Sequence, residues 1–426
     1  MHEVAIFRKE SSLIMSVRAL IILLAMVRLA PGAADFWDLP PIRYSDTKAE
    51  DSLTRLAADL ASGVKRLEGA TGLERLRFVL KELNVPEESQ MMVFSKTSHQ
   101  NALIHPKNPR ALYFSEEAYV GYVPGGAIEA VVVDPRLGPV FYLIEAGGPG
   151  GLKIERDLSN CMSCHGTART ENVPGLQVRS VYPNADGHPL LAMGTSHVTH
   201  ETPLAERWGG YYVTGRSSSP HLGNRTYEED GPDDARPSDL ADLNGMFDVA
   251  KYPRATSDIV ALMVLEHQCQ MHNLLTAASL QYQRTHFLSR ALDPAADPDR
   301  GSAGRVADGM AEKIVACLLF KDEADPGDGI EGGEEFQKAF IARFPRTKSG
   351  ESLADFHLYN RMFKNRCSYM IYSRSFRDLP PRVKQAVLVR LKAALAGEDP
   401  VFDWLKASER KRIEAILAET LPEWVG

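Results

Sequence analysis

The stretch ALYFSEEAYVGYVPGGAIEAVVVDPRLGPVFYLI, residues 111–144, decides the fold class. Its apolar runs at 111–114, 119–123, 128–133 and 140–144 are rich in β-branched and aromatic residues. Each run is too short for a helix, so each reads as a strand. Pro124-Gly125-Gly126 and the run from Asp134 to Gly138 separate them as hairpin-type turns. With the similar run at 91–94, this predicts a small antiparallel sheet.

The period changes on both sides of the sheet. Upstream, Leu53, Leu56, Leu60, Val64 and Leu67, then Leu73, Leu76, Leu80 and Leu83, recur at helical spacing. They predict two helices broken near Gly69 and Gly72. The aromatic and proline-rich lead-in FWDLPPIRYSDTK (36–48) is expected to be extended. Downstream, 177–182 and 189–193 flank Asn184-Ala185-Asp186-Gly187 as a hairpin, and Trp208 to Gly215 reads as a further strand. Residues 216–256 are rich in Ser, Pro, Asp, Gly and Arg and read as a surface linker. From Ser257, a plausible N-cap, the pattern turns helical: one long helix over 259–290, then 308–321, 333–344, 352–374, 380–397 and 401–419. The expectation is an α+β chain, with a strand-rich domain at 35–215, a linker at 216–256 and a largely helical region at 257–426. The acidic glycine-rich loop at 322–333 does not follow the spacing of an EF-hand calcium loop.

The chemistry-bearing motif follows the sheet: Cys161-Met162-Ser163-Cys164-His165. C-x-x-C followed directly by histidine reads as a c-type haem attachment site. Two thiols would form thioethers to the haem vinyl groups, and the adjacent imidazole lies close enough to ligate the iron. A redox dithiol or half a zinc site is the competing reading. No second C-x-x-C exists, and the pair His267 and His272 lies about a hundred residues too far along for a finger. The loop composition after the motif (Gly166, Thr170, Asn172, Pro174, Gly175) does not suit the long helix of a thioredoxin-like dithiol. One covalent haem c is therefore expected.

The N-terminus agrees with that reading. Arg18, the apolar run 19–27, and the small residues Gly32-Ala33-Ala34 form the pattern of a secretory signal over 1–34, with Met15 an alternative start. The apolar run is too short to span a bilayer comfortably, so no stable membrane span is expected once the signal is removed. A periplasmic or secreted location follows. The 426 residues, 44% hydrophobic and 25% charged, suit a globular chain of one elaborated domain or two. A formal net charge of −7 argues against nucleic acid and suits a redox partner protein. Cys269, Cys317 and Cys367 lie in apolar helical contexts and are expected to be buried free thiols rather than a disulfide plus one.

The sixth iron position has several candidates. Met193 sits at the end of the strand predicted at 189–193, downstream of the motif, the side from which small cytochromes often draw a methionine ligand, and His200 precedes a turn. His267 and His272 sit in MVLEHQCQMHN (263–273), a segment dense in polar groups for an apolar helix. The alternative readings are a packed methionine for Met193, a surface histidine for His200, and satisfied core histidines for His267 and His272. Glu266 or Asn273 could orient a neighbour. Arg207 could neutralise a propionate, Trp208 could pack on a ring, and His221 is a lesser ligand candidate.

On Cys161, Cys164 and His165 the chain resembles the c-type cytochromes, which implies attachment through the two cysteines and proximal ligation by the histidine. It also implies attachment outside the cytoplasm. The segments VFSKTS, PRALYF, YVGYVPGG, ERWGGYYVTG and SYMIYS are similar to a group of secreted single-haem proteins of undefined activity. A strand-rich domain with a late C-x-x-C-H is similar to the cytochrome P460 family and to haem-bearing PAS-like sensors. The P460 resemblance draws attention to Lys96, since a lysine cross-links to the haem there. The expected function is electron transfer by an exported single-haem cytochrome. The alternatives are a peroxidase-like or P460-like enzyme and a sensor of diatomic gases.

Overall fold

The computed structural model describes residues 35–228, 239–295 and 297–424. The proposed signal at 1–34 and part of the proposed linker lie outside the described residues. The chain is α+β, with the antiparallel sheet in its N-terminal half and the helices concentrated in its C-terminal region.

Two amphipathic helices lead in: α1 (Ser52–Ala61) and α2 (Gly72–Glu82). The Asp51 side chain accepts from Thr54 N and caps α1. Thr71 and Glu74 form a reciprocal capping box at the start of α2. The first helix stops sooner than its leucine spacing predicts. Val64 lies beyond its end and is exposed, because Gly63 adopts a positive φ and turns the chain. The lead-in is not extended: Phe36–Asp38 is a 3-10 turn, and turns follow it.

The sheet forms where the aromatic and β-branched runs predict it. Strands β1 (Met91–Val93), β2 (Arg110–Phe114), β3 (Ala118–Tyr122), β4 (Ile128–Asp134), β5 (Gly138–Ala146) and β6 (Leu152–Arg156) pair antiparallel in sequence order. A short hairpin of β7 (Arg179–Val181) and β8 (Thr195–His197) stands apart from it, and β9 (Tyr211–Tyr212) closes the far edge against β1. The second arm of that hairpin is therefore displaced from 189–193 to Thr195–His197. Met193 falls in a 3-10 turn with its side chain partly exposed. The motif forms a single helical turn, α3 (Met162–His165).

Helix α4 (Ile259–Leu292) is 34 residues long and is buried around its whole circumference over most of its length. Its N-cap is Asp258, which accepts from the backbone of Val260 and Ala261, rather than the neighbouring Ser257. The Ser257 hydroxyl instead donates to Tyr212 O and accepts from Met92 N, joining the helix start to β1 and the edge strand β9. Then follow α5 (Ser302–Leu318), α6 (Glu334–Ile341), α7 (Arg374–Arg377), α8 (Pro381–Ala396) and α9 (Ala407–Thr420). The span 352–374 is not the predicted helix: it consists of turns and the 3-10 segment Tyr369–Tyr372. Within the proposed linker, Arg216–Ser217 pairs antiparallel with Ile330–Glu331. Buried residues of the sheet, α4 and the later helices form a contiguous core. No helix among the described residues is long and apolar enough to cross a membrane.

Candidate functional site

The Asp157 carboxylate organises the motif turn. It accepts from the backbone amides of Ser159 (3.0 Å), Asn160 (2.8 Å) and Cys161 (3.3 Å). Burial pushes its carboxyl up, but these bonds and that from the Asn160 side chain outweigh burial and hold it below the usual range. Cys161 O accepts from Cys164 N and His165 N, so both thiols and the imidazole leave one helical turn together. Trp37 lies against the back of the turn; a Cβ at Gly166 would stand 2.4 Å from its ring. The lead-in thus packs behind the motif and holds it in place.

Neither motif thiol is in a disulfide. Burial, with the Asp157 charge adding to it, pushes the Cys161 thiol up to about 12. A thiol held in its neutral form is the opposite of an activated redox dithiol.

His165 is oriented from behind. Its Nδ1 stands 2.8 Å from Gly175 O, a pure acceptor, so Nδ1 carries the proton and the lone pair lies on Nε2. Burial lowers the imidazole pKa and keeps the ring neutral. Gly175 N in turn donates to His165 O. The Asn273 side chain of α4 clamps the same loop, accepting from Leu176 N (2.7 Å) and donating to Leu176 O (2.6 Å). A Cβ at Gly175 would come within 2.5 Å of Asn273 Oδ1. A neutral imidazole with Nδ1–H on a carbonyl and Nε2 free is the arrangement of a metal-ligating histidine, fixed by groups around it.

A cavity of about 450 Å³ adjoins the motif. Cys161, Cys164 and His165 line one side, and the sheet wall carries Leu112, Val120, Val131 and Phe141. Leu265 and Cys269 of α4 close the end. Lys96 and Arg110 add positive charge, as does Arg179. Arg110 pairs closely with Glu129, and its charge, with hydrogen bonds from Gln100 and Ser98, overcomes the effect of burial and lowers the Glu129 pKa. Gly121 makes room for that guanidinium: a Cβ there would lie 2.5 Å from Arg110 Nη2.

These residues fit a haem. The volume is in the range of cofactor pockets, and the wall is apolar beside the two cysteines. Arg110 Nε, Arg179 Nε and Gln177 Oε1 are buried without hydrogen-bond partners. Two unpartnered guanidinium Nε donors beside the motif suit the carboxylates that haem carries.

The distal candidates lie elsewhere. Met193 is on a surface turn and does not line the cavity. His267 projects from the face of α4 opposite Leu265 and meets His200, with Nδ1 to Nδ1 3.1 Å. His272 is on the cavity side of the helix but stops behind Tyr119, whose hydroxyl is 2.6 Å from His272 Nδ1. Apart from His165, the imidazole on the wall belongs to His99, in an exposed segment. Arg207 and Trp208 do not reach the cavity either. Arg207 Nη1 and Trp208 Nε1 donate to the two oxygens of Glu266, at 2.6 and 2.7 Å, in a fully buried cluster. His221 packs edge-on against Trp208. Sequence reading missed Arg110, Arg179 and Gln177. Nothing in the sequence placed the three at one cavity.

Comparison with protein-family models, with curated proteins and with solved structures finds no match to this chain.

Proposed function

We propose that this protein carries one covalent haem c, which Cys161 and Cys164 would attach and His165 would ligate, beside a cavity that a small ligand could enter. The observation that carries this reading is the wall beside His165: it holds no methionine among the described residues, and none of Met193, His200, His267 or His272. A binding or redox enzyme role for small ligands, including diatomic gases, is thereby favoured over the simple carrier. When bound, the haem would supply one-electron chemistry and a site for a small ligand.

The chain's own residues then have distinct tasks. Arg110 and Arg179 would hold the propionates, and Leu112, Val120, Val131 and Phe141 would offer the ring an apolar surface. Gln268 Nε2 donates to the Tyr119 hydroxyl (2.8 Å), so that hydroxyl directs its proton to His272 Nδ1. The pair holds a proton at the edge of the cavity. Lys96 places a primary amine on the same wall, the feature that the P460 resemblance singles out. Export to the periplasm or beyond and exchange of electrons with a partner protein belong to the same proposal.

The test is the optical spectrum of the purified holoprotein, oxidised and reduced, with and without carbon monoxide. High-spin iron that takes up carbon monoxide is the expected result. A low-spin spectrum unmoved by carbon monoxide would sink the open-site reading and leave the carrier. Haem staining should survive denaturation in the wild type and be lost in a Cys161→Ala, Cys164→Ala variant. Persistence of covalent haem in that variant would overturn the attachment.

A further inference from the structure

A second cluster lies on the far face of α4, away from the haem cavity. His200 follows β8, His267 is in mid-α4, and Cys317 is near the end of α5; all three are buried. Their ligand atoms, one from each, lie within 4.8 Å of one another. The two Nδ1 atoms are 3.1 Å apart, close to the edge of about 3.3 Å expected between imidazole nitrogens bound tetrahedrally at 2.0–2.1 Å. Both outward-facing nitrogens are already held. His200 Nε2 is 3.3 Å from Lys321 O, and His267 Nε2 is 2.6 Å from Ser368 Oγ. Carbonyl and hydroxyl partners behind ligating histidines are the usual supports of a metal site.

From these contacts we infer that His200, His267 and Cys317 form a binding site for a single transition-metal ion of the zinc or copper class, independent of the haem. Two imidazoles and a thiolate are the donor set that those ions take.

The protons balance. Lys321 O can only accept, so His200 bears its proton on Nε2 and offers a lone pair at Nδ1. Without an ion, His267 carries its proton on Nδ1 and donates it to His200, while the Ser368 hydroxyl donates to His267 Nε2. An ion between the two Nδ1 atoms replaces that shared proton. The His267 proton moves to Nε2 and is accepted by Ser368 Oγ, whose own hydroxyl proton rotates away from the ring, and the Cys317 thiol proton leaves with a water shed by the incoming hydrated ion. The Ser368 hydroxyl can accept there without losing its bond from Met370 N.

The site would join three segments that are far apart in sequence. His200 O already accepts from Arg207 Nη2 (3.0 Å) and from Ala324 N (2.9 Å), so the loop carrying it is anchored before any ion binds. The Phe320 ring stacks on His267 at 4.1 Å between centroids and shields the cluster from water. The ion would pin the 198–207 loop and the end of α5 to the middle of the central helix.

The full chain, haem-loaded, is expressed in medium supplemented with zinc or, separately, copper, then desalted and assayed for metal by plasma emission spectrometry. One ion beyond the haem iron is expected per chain. X-ray absorption at the edge of the bound metal should show one sulfur and at least two imidazole nitrogens. Cys317→Ala should lose the extra ion while keeping the haem spectrum of the wild type, which reports that the chain is folded. The wild type should also melt at a higher temperature when grown with the metal, and Cys317→Ala should not. Binding of either ion with this dependence supports the site. A wild type that holds no ion beyond iron, an absorption edge without sulfur, or metal content unchanged in Cys317→Ala would overturn it. Because Cys161 and Cys164 could hold zinc in a chain lacking haem, metal that survives Cys317→Ala but is lost in the Cys161→Ala, Cys164→Ala variant would assign the ion to the motif and overturn the proposal too. Failure of the haem reading, seen as an absent haem stain, leaves the sulfur dependence on Cys317 as a separate result.

Discussion

Asn273 shows how one side chain far from the motif bears on it. Its two hydrogen bonds to Leu176 hold the loop whose Gly175 carbonyl fixes the His165 tautomer. Asn273→Leu keeps the bulk but leaves both Leu176 backbone groups without partners in a dry setting, at a cost of about 1–3 kcal/mol. The variant should still carry covalent haem, while its reduction midpoint and axial-ligand spectrum change. An unaltered midpoint would mean that Asn273 only supports the loop. Two other buried imidazoles set the acid behaviour. Burial, with the Arg225 charge adding to it, lowers the His221 pKa to about 4, and burial lowers that of His272 to about 3. Unfolded, both take up a proton near pH 6.5. Between that pH and the folded values the unfolded state binds more protons, so stability is complete above about pH 6.5 and declines as the pH falls towards 4 and 3. Urea midpoints measured from pH 7 to pH 4 should decrease, and His221→Phe should flatten the decrease.

At the scale of elements, α4 carries the arrangement. One face, with Leu265 and Cys269, lines the cavity beside the motif; Asn273 holds the loop after the motif; and the opposite face presents His267 to His200. A helix buried all round has no amphipathic stripe, so its sequence gives no direction to its faces. Its start depends on Asp258. Besides capping the helix, this carboxylate accepts from Gly333 N just after the strand Ile330–Glu331, which ties α4 to the Arg216–Ser217 pair. Asp258→Ala should therefore cost about 1–2 kcal/mol, at the upper end for loss of a cap. The measurement is the denaturant midpoint at an unchanged slope. A loss below a few tenths of a kcal/mol would show that the backbone alone sets the helix start.

For the whole molecule, the continuous core decides how the chain unfolds. The sheet, α4 and the C-terminal helices share buried surface, with Trp37 and Trp208 in the N-terminal half and Trp424 at the far end of the same core. The expected transition is single and cooperative: haem absorbance, tryptophan fluorescence and far-ultraviolet circular dichroism should lose their native signals at the same urea concentration. Separate midpoints for haem and far-ultraviolet signals would divide the strand-rich and helical regions into independent units. The buried Arg207–Glu266 pair crosses between those regions, from the segment before β9 to α4. Removing either partner would strand a charge inside this core.

Alternating aromatic and β-branched runs between turn residues specified the sheet, because strand periodicity is local and needs no knowledge of the partner. The long helix was legible for the same reason, and so was the C-x-x-C-H motif, whose residues lie within five consecutive positions. The ends of elements were less legible. Ser257 and Asp258 both have cap chemistry, and the choice fell to the neighbours that engage Ser257: Met92 and Tyr212. Tertiary structure alone decided what surrounds the motif. His267 was visible as a candidate, yet whether it faces the cavity or His200 depends on the rotation of a uniformly buried helix, which no local pattern encodes. Cys317 lies 50 residues from His267 and 117 from His200 along the chain, so only packing brings the three together. Sequence by itself determined the C-x-x-C-H motif, because its residues lie within five positions of one another; the cavity wall beside the motif and the second side-chain cluster were decided by the fold, because they are assembled from distant segments.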